Sequence, residues 1–245
     1  GDVSFVLELV ACGEGARDIH CGKSARVRSS DIKSVLIDEG HNNRCSGYMD
    51  AFARLLGEAD YNPRINEGRI DAQTLDGADI LVINVPETGF SLTPTSFDDE
   101  ELDVISSFVA AGGSLLLAGG SDFPGLRSCD QFDLLLEKMG SAIRFNRDEM
   151  RRDDLSVLDV EWGLERAVYA DEACSLAGPG WIDLSEVPQV VVLAHAPGAW
   201  SADVSGEGRL FQYAGSPVFA AAETVGSGRL VCLGAPVYSS RDLAR

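Results

Sequence analysis

Lysine is scarce in this 245-residue chain: Lys23, Lys33 and Lys138 are the only ones, and acids outnumber bases by 39 to 20. The resulting formal net charge of −19 argues against docking on bare nucleic acid or an anionic membrane, since both would repel it. Such a balance fits a soluble protein from an acid-rich, arginine-rich proteome, a salt-adapted one included. Long apolar runs are missing too. None reaches the roughly 18 residues that span a bilayer, so membrane insertion is not expected. The opening stretch GDVSFVLELVACGEG has no basic n-region, so no signal peptide is visible, and one already removed would leave the same picture. No CxxC pair occurs among the six cysteines, which removes the usual zinc and thioredoxin spacings. Cys12 and Cys21 flank a short loop, where a disulfide and a pair of free thiols are both compatible readings. His20 adds an imidazole beside them, but a fourth zinc ligand is lacking. Cys232, inside Leu230-Val231-Cys232-Leu233, reads as a small core residue. Repeats, low-complexity tracts and clear linkers are absent.

What the chain does have is apolar mass: 45% of its residues are hydrophobic, enough for a sizeable core in one α/β domain. The stretch Ala78–Asp122 is the most telling part. Ile80-Leu81-Val82-Ile83 and Ser114-Leu115-Leu116-Leu117-Ala118 lack polar alternation, as strands covered on both faces do. Between them Leu102, Ile105, Phe108 and Val109 recur at helical spacing, and Asp98, Asp99, Glu100 and Glu101 crowd the helix start, where the dipole favours acids. A Gly112-Gly113 stop completes a βαβ unit of a parallel sheet, a fold that binds ligands beyond the carboxyl ends of its strands.

Upstream, residues 1–33 read as a strand or hairpin extension, and the main domain spans residues 34–245. Ser34–Asp38 is a short apolar strand. Tyr48, Phe52, Leu55 and Leu56 give a helix closed by Asn62-Pro63, followed by a weak strand near Arg64–Asn66 and a turn that Leu75 underpins. Downstream, Cys129–Met139 is a helix and Ser141–Phe145 alternates as a strand. Asp148–Asp154 is a charge-dense loop; its RDEMRR run, Arg147–Arg152, suits either an anion-recognition patch or a solvated surface with weak ion pairs. The remainder is β-rich, with strands expected at 168–169, 190–193, 210–213, 218–222 and 229–234. Gly226-Ser227-Gly228 turns into the last of these. Trp162, Trp181 and Trp200 lie in Gly/Pro-rich surroundings and are assigned to packing under long loops before any ligand groove.

Chemistry-bearing residues gather just past the first strand. Asp38, Glu39 and His41 combine carboxylates with an imidazole, a set that can hold a divalent ion, with Asp38 and His41 as its ligands, or serve a bound ligand as acid and base. The plainer alternative is that Asp38 caps the next turn and His41 is a solvated loop residue.

The segments VLIDEGHNN, LDGADILVINVP, FDDEELDVISSFVAAGGSLLLAGG, FDLLLEKMGSAIRFNRDEM and VGSGRLVCLGAPVYSS, in this order, resemble the class I glutamine amidotransferase-like superfamily. The resemblance spans residues 34–240 and is to its non-amidotransferase branch, found in secreted bacterial and archaeal proteins and in the N-terminal domain of an intraflagellar-transport subunit. It implies a flavodoxin-like parallel sheet with a β-rich C-terminal elaboration. The family's Cys nucleophile belongs on the turn that here reads Ala118-Gly119-Gly120-Ser121-Asp122, without cysteine, and Cys129 falls in the next helix. The only later histidine is His195, with no His-x-Glu pair, so glutamine hydrolysis by the family mechanism is not expected.

Ser121 occupies the nucleophile's place and could act only with His41 or His195 as its base. Gly119 and Gly120 would let the backbone approach a ligand closely, although a tight turn explains all three residues more simply. The expected function is therefore that of a pseudoenzyme: a binding or assembly module in a larger or multi-subunit system. It is expected to recognise a protein partner or a second copy, with a secreted or cell-surface location favoured and no required cofactor. The rival reading is a metal-dependent hydrolase using Asp38, Glu39 and His41.

Overall fold

The computed structural model describes residues 32–41, 49–84, 96–119, 128–146, 149–151, 161–162, 181–184, 190–195, 200–202 and 218–234. Within them the apolar run Ser34–Asp38 forms β1, and its alternating side chains go to opposite faces of the sheet. Helix α1 (Met49–Glu58) leads to β2 (Asn62–Asn66), which pairs in parallel with β1. Pro63 was expected to close the helix segment and instead lies inside this strand. Asn62 donates its N–H to Lys33, and Asn66 accepts from Glu39, so Pro63 and Ile65 face away from β1. A missing N–H costs no ladder bond at that position.

The next elements are β3 (Ile80–Asn84), α2 (Asp99–Ala110) and β4 (Ser114–Ala118), which close the expected βαβ unit. α2 opens on a capping box in which the Asp98 carboxylate accepts from the Glu101 N–H and Glu101 accepts from the Asp98 N–H. Then come α3 (Ser128–Lys138), β5 (Ile143–Asn146), β6 (Glu149–Arg151), β7 (Glu161–Trp162), β8 (Trp181–Leu184) and β9 (Val190–His195). The chain continues through β10 (Trp200–Ala202), β11 (Val218–Val225) and β12 (Gly228–Leu233).

The main sheet runs β2-β1-β3-β4-β12-β11-β8-β5, with β9 also on β11 and β7 on β9. Pairing is parallel from β2 through β12 and antiparallel beyond. This is an α/β, flavodoxin-like sheet with a β-rich C-terminal half. Alternation sorts the core into two layers. Leu36, Leu81, Ile83, Leu115 and Leu117 meet Leu102, Ile105 and Val109 of α2 and Leu135 of α3. Val35, Ile37 and Val82 meet Met49 and, at the edge of that cluster, Phe52 and Leu56 of α1.

One more expectation needs correction. Glu149–Arg151, expected inside a charged loop, pairs antiparallel with Trp200–Ala202 as a separate small sheet. Trp162, Trp181 and Trp200 lie in strands β7, β8 and β10. The final strand expected at 229–234 is β12, inserted between β4 and β11, so the chain's last described strand completes the centre of the sheet. The Gly226 turn into it is confirmed, with a left-handed φ of 59°. Cys232 is a buried free thiol, as expected. The extension up to residue 31 and the strands expected at 168–169 and 210–213 lie outside the described residues.

Candidate functional site

After β1 the chain builds β2 on one side of it and β3 on the other, so the topological switch point falls between β1 and β3. Crevices beyond the carboxyl ends of strands at such points are where flavodoxin-like sheets bind ligands. β1 ends there in Asp38, and the turn Glu39-Gly40-His41 follows.

Asp38 caps that turn, its Oδ1 accepting the Gly40 N–H at 3.1 Å. Gly40 is a required glycine, because a Cβ on it would stand 2.1 Å from the Gly68 carbonyl oxygen. Asn66 of β2 secures the same approach by donating to Gly68 at 2.6 Å. Held in this way, the turn drives His41 inward. Its side chain is 3% exposed, so the reading of His41 as a solvated loop residue is wrong. Nδ1 lies 3.0 and 2.9 Å from the two oxygens of Asp38, and Nε2 lies 3.2 Å from Oε1 of Glu101. The Phe97 ring covers the imidazole, with centroids 4.1 Å apart.

Glu101 is the site residue that sequence reasoning missed. It was read only as one of four acids favouring the helix dipole. In the structure it is buried, Oε1 also accepting the Ile70 N–H at 2.9 Å and Oε2 the Asp98 N–H at 3.1 Å. The signal was present as Asp98-x-x-Glu101, since the third helical position of a capping box turns back toward the chain entering the helix. Outside the buried pair, the exposed Arg69 guanidinium bonds Asp98 and Glu100 and comes within 4.0 Å of Glu101.

With Asp38 and Glu101 both ionised, their oxygens only accept, so each ring nitrogen of His41 donates, which is the doubly protonated imidazolium. Burial pushes the His41 pKa down. The hydrogen bond and charge of Asp38, followed by those of Glu101, outweigh that effect and leave it above the ordinary 6.5. In this arrangement neither nitrogen presents a lone pair to a metal ion. Among the described residues, no group of three or more His, Cys, Asp and Glu side chains is placed to hold one.

The remaining candidates are distributed as follows. Gly119 follows β4, donates its N–H to Leu233, and is packed so closely that a Cβ would meet the Phe145 ring at 2.6 Å. Its missing side chain is thus used by an aromatic ring of the core. His195 is the last residue of β9, paired with Val218 and with Glu161. Glu39 donates its N–H to Asn66 at the rim of the cluster. Gly120 and Ser121 lie outside the described residues.

No family model matches the chain, and no curated protein matches it. Solved structures do. The mmIFT52 N-terminal domain aligns with a TM-score of 0.55 at 16% identity, over 83% of this chain and 86% of its own. A cytoplasmic protein from Salmonella typhimurium LT2 gives 0.55 at 16%, over 87% and 93%. A ThuA-like protein from Bacteroides uniformis gives 0.53 at 11%, over 94% and 91%. At such identities the likeness establishes the fold.

Proposed function

We propose that this chain is a non-catalytic binding or assembly module on an amidotransferase-like scaffold, one component of a larger or multi-subunit system. The observation that carries the reading is the pairing of Asp38, His41 and Glu101. At the switch point, where a catalytic imidazole needs a free nitrogen, both nitrogens are spent on internal carboxylates and the ring is covered by Phe97. The likeness to the mmIFT52 N-terminal domain agrees with it, and so does the lack of cysteine at the family's nucleophile turn. Recognition of a protein partner or a second copy is assigned to the loops after the strand ends, around residues 39–46, 87–96 and 121–128, which lie largely outside the described residues.

The test is an assay against ester, glycan and phosphodiester substrates with magnesium, manganese or zinc, run with thermal-shift measurements on the wild type, Ser121→Ala and Asp38→Asn. The expected result is no turnover that depends on Ser121 and no metal stabilisation that depends on Asp38. Turnover abolished by a chelator and by Asp38→Asn would instead establish the metal-dependent hydrolase reading, and turnover abolished by Ser121→Ala would equally overturn the non-catalytic one.

A further inference from the structure

We propose that Asp38, His41 and Glu101 form a pH-sensitive clasp that fastens the turn after β1 to the first turn of α2 and releases α2 when the imidazole becomes neutral. The cluster joins segments that are far apart in sequence. Asp38 contributes from β1, Glu101 from α2, and the connection between β2 and β3 contributes the Ile70 N–H. Among the described residues, the charged groups around the ring are Asp38 on one side and Glu101 on the other, with Arg69 beyond Glu101 paired to Asp98 and Glu100. From β2 the cluster receives only the neutral Asn66 amide, 3.5 Å from Asp38.

A neutral imidazole keeps one N–H and turns a lone pair toward the other partner. The two contacts are unequal. Nδ1 meets both Asp38 oxygens at 3.0 Å or less, whereas Nε2 meets one Glu101 oxygen at 3.2 Å that already accepts from Ile70. The tautomer protonated on Nδ1 is therefore retained, and the Nε2 lone pair faces the Glu101 carboxylate. Repulsion in a buried setting opens the clasp on the α2 side. Asp38 keeps its Gly40 bond and Glu101 its Asp98 bond, so the two sides separate without losing their caps. Because the folded-state pKa is raised, the clasp is fully fastened below 6.5 and is lost as the pH climbs through the raised value.

The experiment is amide hydrogen exchange on the full chain as a function of pH, with a chelator present, following the Ile70 amide, which bonds Glu101 across the clasp, in the wild type and in His41→Gln. After correction for base catalysis, wild-type protection should fall by up to about tenfold per pH unit above the ordinary histidine value, one proton being released per opening. The fall should be absent in His41→Gln, which cannot carry the charge. Flat wild-type protection, or an equal fall in His41→Gln, overturns the proposal. The NMR titration of the wild-type His41 ring decides the matter if the variant does not fold: its midpoint must mark the pH at which the protection loss levels off, and a loss that runs on past that midpoint, or ends well before it, overturns the proposal.

Discussion

Replacing His41 by alanine is expected to destabilise the protein by about 3–5 kcal/mol, the cost of breaking a buried ion pair by removing one partner. Asp38 and Glu101 are both buried, and each loses the donor that balances its charge. The ring's departure also opens a void beneath Phe97, which packs on it at 4.1 Å. Urea unfolding below pH 6.5, where the imidazolium is fully formed, reads the effect most cleanly. The double variant Asp38→Asn/His41→Ala should recover part of the loss, because one of the stranded charges is gone; such coupling is expected between groups in contact. The sign separates two roles. A histidine kept strained and available for catalysis is often neutral or stabilising to remove, since activity and stability trade against each other. A change within about 0.5 kcal/mol, typical of an exposed loop residue, would contradict the buried pairing.

Gly228→Ala is expected to cost about 3 kcal/mol, the upper part of the ordinary overpacking range. The added Cβ would stand 2.1 Å from the Val109 carbonyl oxygen and 2.3 Å from that of Gly113. Both obstacles are backbone, so no side-chain rotation relieves them. The collision falls at the start of β12, where the end of α2, the Gly112-Gly113 stop and the entry to the central strand meet. Moving that junction displaces a strand paired on both sides, with β4 and β11. For a domain of this size the melting temperature should fall by about 6–12 °C, at roughly 2–4 °C per kcal/mol. Gly57→Ala is the matched control, since nothing lies within 4 Å of its Cβ position. Equal melting temperatures for the two variants would show that α2 and β12 do not meet in this way.

These two sites also show which parts of the structure the sequence made legible. Continuous apolar runs revealed β1, β3 and β4 because strands covered on both faces need no polar alternation. Helical spacing and the glycine pair revealed α2 and its end. Asp38 and His41 were picked out as a pair because three residues of one turn must lie close together. Their third partner was hidden for the opposite reason: Glu101 comes from another element, and in a run of four acids only packing tells which one turns inward. The place of β12 in the middle of the sheet was hidden as well, because an apolar strand reads alike wherever it pairs. The strand Glu149–Arg151 is short and charged, so composition pointed to a loop and only its partner, Trp200–Ala202, makes it a strand.

The chemistry at the carboxyl end of β1 is turned inward, on itself. The most direct measurement is the 15N spectrum of the His41 ring just above pH 6.5, where an unperturbed imidazole is mostly neutral, before and after adding magnesium or zinc. Both ring nitrogens are expected to carry protons, and neither resonance should move when the ion is added. A nitrogen without a proton, or one shifted by the metal, would contradict that inward pairing and return Asp38 and His41 to the hydrolase reading.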